Sequence, residues 1–323
     1  GLPQLRQAFA HWYMKWYGVQ LDPALQIQPL VGSKEAILLI SLAFLDKGDK
    51  VLVPDPGYPT YSSASKLVEA EIVTYDLKAE NGWQPDFEEL ERMDLRGVKI
   101  MWTNYPGMPT GAQATEDLYA RLVDFGKRHG IMICNDNPYS FILNDNPLSI
   151  LVQPGAKECC VELNSLSKAH NMAGWRIGMV AAEADVIEQI LKVKSQMDSG
   201  MFKPLQLAAV EALKQGPEWF AQLNEEYTRR RVLAGEIFDI LGVEYDHNSS
   251  GMFLWGRVPE GKGEALADKI LYEAGVFITP GFIFGKNGED YIRISLCAKP
   301  EVLKKAAERI RSVIPSEVEE SAR

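Results

Sequence analysis

Between residues 33 and about 190, short apolar runs alternate with stretches in which apolar residues recur every three or four positions. The runs KVLVPD (50–55), EIVTY (71–75), VKIMWT (98–103), IMICND (131–136), CCVELN (159–164) and IGMVAA (177–182) predict strands. The periodic stretches between them predict helices over 33–45, 57–68, 115–129 and 183–196. Strands that are apolar along their whole length are buried on both faces, so the pattern predicts a mostly parallel sheet with helices on either side. After about residue 200 the rhythm changes. A long helical pattern (218–241) precedes MFLWGRV (252–258), a helix over 263–274, VFIT (276–279), YIRISL (291–296) and a last helix from 300. The expected fold class is α/β: a three-layer α/β/α large domain over 21–212, then a smaller α+β C-terminal domain over 213–323. Residues 2–17 read as a helix with an apolar face, and 1–20 are expected to be the remnant of an N-terminal segment whose upstream part is missing. The polar tail SEVEESAR (316–323) is expected to be solvated and mobile.

Composition narrows the function. Of the 323 residues, 46% are hydrophobic and 24% charged, as in ordinary globular domains, and the formal net charge is −10. A general nucleic-acid surface would need a basic face, so no nucleic-acid partner is expected. The run AILLISLAFL (36–45) is too short to span a bilayer, so no membrane partner is expected either. Four cysteines, none in a CxxC pair, are expected to be reduced thiols of a cytoplasmic protein. The four histidines stand far apart without metal-ligating spacing, so no metal is expected, and His170 is expected to be packed or exposed rather than catalytic.

In parallel sheets of this kind ligands bind beyond the carboxyl ends of the strands, which directs attention to the loops there. VGSKEAI sets the small residues Gly32 and Ser33 before a helix, where an anion can approach the backbone and the helix N-terminus. PDPGYPTY places Tyr58 after a strand, and NDNPYSF places Asp136 at a strand end with Tyr139 three residues on. Ser165, Lys168 and Arg176 follow at intervals of three and eight, and Arg293 lies in YIRISL. Taken singly, each has an ordinary reading as a cap, turn, packing or surface residue. Their order and spacing carry the argument.

Together these pieces, from residue 1 to about 312, resemble the class I/II pyridoxal-phosphate aminotransferases, the aspartate aminotransferase superfamily. SLSKAHNMAGWRIG is similar to the lysine signature of that family. GSKEAILLISLAFLDKGDKVLVPDPGYPTY resembles the branch holding LL-diaminopimelate and alanine aminotransferases. The resemblance implies that Lys168 forms the Schiff base with pyridoxal 5′-phosphate and moves the substrate proton, while Asp136 pairs with the ring nitrogen. It implies that Tyr139 donates to the ring's 3′-oxygen and that Tyr58 stacks on the ring. Ser33, Lys34, Ser165 and Arg176 would hold the phosphate, and Arg293 the substrate carboxylate. A homodimer that exchanges an amino group between an amino acid and a 2-oxo acid is the implied enzyme. A C–S lyase on the same scaffold, or a non-enzymatic sensor domain, is the alternative. One position departs from the family: its loop usually reads Asn-Pro-Thr-Gly, whereas Met108 begins MPTG here. The donor that asparagine supplies to the 3′-oxygen is either missing or comes from Asn104 or a water.

Overall fold

All six apolar runs of the first part pair into one sheet, joined by a seventh strand that the pattern does not reveal. The computed structural model describes residues 1–314 except residue 260, so the expected solvated tail lies outside the described residues. The strands are β1 (Ile27–Leu30), β2 (Lys50–Asp55), β3 (Glu71–Asp76), β4 (Val98–Asn104), β5 (Met132–Asp136), β6 (Cys160–Ser165) and β7 (Gly178–Ala181), in the order β1-β7-β6-β5-β4-β2-β3. Strands β2 to β6 pair in parallel, whereas β7 is antiparallel to both β6 and β1. Residues 166–177 stay at the rim where β6 ends and turn straight back, and a parallel neighbour would need a crossover to the opposite rim. The missed strand β1 reads IQPL: four residues, one polar and one proline, which an edge position tolerates.

Alternate residues feed two apolar clusters, one on each face. Leu52, Met101 and Ile133 face the helix Pro3–Tyr17, while Val51, Ile100 and Cys134 face the helix Lys34–Phe44. The first of these helices belongs to the main core, since Leu5, Phe9, Trp12 and Tyr13 are all buried. Within β6 the fully buried Glu162 accepts hydrogen bonds from the Tyr13 hydroxyl (3.0 Å), Ser149 Oγ (2.6 Å), Asn135 Nδ2 (3.0 Å) and the Ile150 N–H (3.0 Å). Four donors offset the desolvation that one buried carboxylate suffers.

The C-terminal part forms a second, antiparallel sheet of β8 (Glu244–Tyr245), β9 (Phe253–Arg257), β10 (Thr279–Pro280) and β11 (Tyr291–Ser295), in the order β10-β11-β9-β8. Of the apolar run 276–279 only Thr279 pairs. The three residues before it lead out of the helix that Gly275 caps, and Phe277 is exposed. A third apolar cluster lies between this sheet and the helices Pro217–Ile240, Gly263–Ala274 and Pro300–Arg311. Asp55, at the end of β2, accepts the backbone N–H groups of Lys286 and Asn287 (3.0 Å each) and so fastens the second sheet's loop to the first sheet's rim. No helix among the described residues is long and apolar enough to cross a membrane, and none of their His, Cys, Asp and Glu side chains cluster as a metal site.

His170 packs between Trp12 (ring centres 4.8 Å apart) and Phe220 (5.8 Å), and neither ring nitrogen has a partner among the described residues. Burial lowers its pKa from 6.5 to about 4. The unfolded chain therefore takes up the proton first, and stability is lost as pH falls from about 6.5 to about 4, by about 3 kcal/mol in all. His170→Phe should flatten that part of the acid slope in denaturant unfolding between pH 7 and pH 4. Equal slopes for both proteins would contradict the assignment.

Candidate active site

Because β2, β4, β5 and β6 run parallel, their last residues, Asp55, Asn104, Asp136 and Ser165, lie along one rim. The loops beyond them, with the second sheet above, enclose a cavity of about 290 Å³. All nine residues singled out in the sequence line it.

Asp136 is buried, and its Oδ2 accepts a hydrogen bond from the Tyr61 hydroxyl (3.0 Å). Its Oδ1 is equally buried and has no partner among the described residues. Burial raises the carboxyl pKa from 3.8 to about 7, with the Tyr61 bond opposing and the charge of Glu162 adding. A lone acceptor in such a site favours a ligand that brings a proton.

Ser165 ends β6 and caps the four-residue helix Leu166–Ala169, its Oγ accepting the Ser167 N–H (3.1 Å). That single turn carries Lys168 from the strand end into the cavity. Lys168 is half-buried, yet its Nζ forms no hydrogen bond or ion pair among the described residues. Beside it, three segments converge because two residues lack a Cβ. At Gly32, with φ +78°, a Cβ would collide with the Arg176 guanidinium, and at Gly178 it would lie 2.6 Å from the Ser33 amide nitrogen. Ser33, the first turn of the helix Lys34–Phe44, Ser167 and Arg176 thus meet at one corner, and the Arg176 Nη1 donates to the Ala173 carbonyl (3.0 Å) and Ser167 Oγ (3.4 Å). Lys34 is exposed, with its Nζ 5.9 Å from the centre of the Tyr58 ring.

From the second sheet come Arg293 on β11 and Phe253 on β9. The Arg293 guanidinium lies 4.1 Å from the centre of the Phe253 ring and 4.7 Å from that of Phe284, held by cation–π attraction. It has no acidic partner among the described residues, its buried Nε is unpaired, and its Nη1 rests 3.3 Å from the Met108 sulfur. Tyr139, also buried, faces this end, and its ring meets that of Phe253 edge-on at 6.0 Å. The Met108 N–H donates to Asn104 Oδ1 (2.7 Å), while Asn104 Nδ2 donates to the Asp136 carbonyl (2.6 Å). Asn104 therefore braces the loop and the strand end, and Met108 packs against the arginine.

Sequence reasoning missed Tyr61, Ser167 and Phe253, all of which line the cavity. Tyr61 had a signal: it follows Tyr58 by three positions, on the same face of the helix Pro59–Leu67, and stacks on the buried Trp102 at 5.0 Å. Phe253 had none, since only the packing of the second sheet brings it here.

The family described as aminotransferase class I and II matches residues 1–310. An LL-diaminopimelate aminotransferase of Dehalococcoides mccartyi is 42% identical over 313 residues, 96% of this chain and 81% of that protein. The LL-diaminopimelate aminotransferase of Aquifex aeolicus is 39% identical over 97% of this chain and 82% of its own length. Among solved structures, apo-BacF from Bacillus subtilis superposes with a TM-score of 0.93 at 34% identity, covering 98% of this chain and 81% of its own. An aromatic aminotransferase from Pyrococcus horikoshii gives 0.90 at 31%, covering all of this chain and 86% of its own. The chain belongs to the class I and II aminotransferases, pyridoxal-phosphate-dependent transaminases, and within them stands near the LL-diaminopimelate aminotransferases.

Proposed function

We propose that this cavity holds pyridoxal 5′-phosphate next to an amino acid, with Lys168 as covalent anchor and proton carrier. The observation that carries the reading is one cavity containing both an unpartnered buried carboxylate oxygen, on Asp136, and an unpaired amine, on Lys168. The donor set fits the cofactor. Asp136 Oδ1 would accept the ring N–H, and a cationic partner there brings the raised pKa of this carboxyl back down. Ser33, Ser165 and Arg176 offer hydroxyls, helix N–H groups and a guanidinium for the phosphate, with the exposed Lys34 adding charge from outside. Tyr139 would donate its hydroxyl to the 3′-oxygen, and Tyr58 would cover a ring face.

Once bound, the cofactor supplies an aldehyde carbon that accepts the amino group and a ring that withdraws electrons. The protein supplies the rest. Lys168 Nζ, free of competing ion pairs, takes a proton from the substrate Cα and returns one. Asp136 keeps the ring nitrogen protonated, and Tyr61 holds Asp136 in place. Arg293 receives the α-carboxylate in a bidentate fork, its orientation set by Phe253 and Phe284. The names of the relatives make LL-diaminopimelate the first donor to test, and we take 2-oxoglutarate as the acceptor. Glutamate should form only with both the donor and pyridoxal phosphate present. A donor panel yielding no glutamate would overturn the reading.

Arg293→Lys should raise KM for the amino acid by about 10- to 100-fold, since a charge-assisted bond of roughly 1.5–3 kcal/mol and the fork geometry are lost. Cofactor affinity should hardly change. Steady-state kinetics with an amino acid and the matching amine check it, and equal KM values for the two in the wild type would show that Arg293 does not read the carboxylate.

The same reading takes the protein as a cytoplasmic homodimer, divided into a large domain to about 212 and a small one beyond. Exposed Val31, Leu67 and Met197 around the outer mouth next to Arg176 and Lys34 support the dimer. Four unpaired cysteines support a reducing compartment, and the separate apolar cluster of the second sheet supports the division. Sedimentation finding an active monomer would contradict the dimer.

A further inference from the structure

At the opposite end of β6 from Lys168, the adjacent Cys159 and Cys160 bring their sulfurs to 3.8 Å. Cys159 is partly exposed and Cys160 is buried. A cavity of about 330 Å³ opens over them, lined by Gly126, Lys127, Gly130 and Lys157 among others. Gly126 makes the room: a Cβ there would lie 2.8 Å from Ile133 and 3.2 Å from the Cys159 sulfur. Lys127, paired with Glu158 at 3.0 Å, stands beside it.

We propose that Cys159 is a modification site for hydroperoxides, with Cys160 as its resolving thiol. The supporting electrostatics lower the pKa at position 159: the hydrogen bond shared with Cys160 and the charge of Lys127 favour a thiolate, against burial and the charge of Glu158. The first step forms an S–O bond at Cys159 as the O–O bond of the hydroperoxide breaks and the alcohol (or water) leaves. Cys159 is then a sulfenic acid, oxidised by two electrons. The Cys160 sulfur attacks it, an S–S bond forms, the S–O bond breaks, and the hydroxide leaves as water with the Cys160 proton. Two thiols and one hydroperoxide thus become one disulfide, one alcohol and one water. Adjacent Cα atoms lie only about 3.8 Å apart, below the usual range for a relaxed disulfide, so the product is strained and readily reduced. Reversibility follows from the spacing.

Substoichiometric hydrogen peroxide on the cofactor-loaded protein, followed by peptide mass spectrometry, tests this. The expected product is a peptide joining Cys159 to Cys160 with two hydrogens lost, restored by dithiothreitol and formed severalfold faster than oxidation of the exposed Cys297. Cys160→Ser should leave Cys159 as a sulfenic acid trapped by dimedone. Cys159→Ser should leave Cys160 unreacted, because it is buried. Neither residue lines the Lys168 cavity, so both variants should transaminate normally, which also reports on folding. Oxidation falling first on Cys297, a lasting dimedone adduct on Cys159 in the wild type, or oxidation of Cys160 without Cys159 would overturn the proposal.

Discussion

Lys168→Ala should reduce transamination by about 10⁴-fold or more, the upper end of what one positioned acid–base group contributes, because the same amine is also the anchor. The loss should not come from unfolding. Lys168 is half-buried and unpaired, and the helix that carries it is fixed by the Ser165 cap rather than by the lysine. Denaturant unfolding of the cofactor-free variant should therefore stay within about 1 kcal/mol of wild type. Residual activity within tenfold of wild type would move the proton-transfer role to another group.

Asp136→Asn should have effects of opposite sign on stability and on turnover. In the cofactor-free protein, burial lifts the carboxyl pKa from 3.8 to about 7, so the folded state binds a proton that the unfolded state has already released. Stability is then lost as pH rises through that window, reaching about 4 kcal/mol above pH 7. Asparagine has no charge to bury, and Tyr61 can still donate to its oxygen, so the cofactor-free variant should be the more stable protein at pH 8. Turnover should nevertheless fall by at least about 10²-fold, since roughly 3 kcal/mol of charge-assisted pairing to the ring nitrogen is lost. Parallel unfolding and kinetic measurements from pH 4 to pH 8 check both halves. A variant less stable than wild type at pH 8 and equally active would refute the role given to Asp136.

What could be read in advance follows from how local each feature is. The buried parallel strands announce themselves because both faces are covered and the whole run must be apolar, as in the fully buried β6. β1 is silent because four residues with a proline leave no period to detect. Lys168 and Arg176 were legible together because one short segment carries both, and Ser165 caps the turn that carries Lys168. Tyr61 was half-legible, through its spacing from Tyr58. The surroundings of Arg293 were not legible at all. Phe253 reaches it from β9 and Phe284 from the loop between β10 and β11, and Met108 comes from across the cavity. Met108 itself stood out as a departure from the family pattern. Only the folded structure shows that its sulfur lies against the arginine and that Asn104 braces the loop behind it.

The central claim is that the unpaired amine of Lys168 holds the cofactor. Borohydride reduction of the pyridoxal-phosphate-loaded protein, followed by proteolysis and mass spectrometry, tests it most directly. The account predicts a single phosphopyridoxyl group on the peptide containing Lys168 and none in the Lys168→Ala protein. A phosphopyridoxyl group found on Lys34 or any other lysine, with Lys168 unmodified, would contradict it.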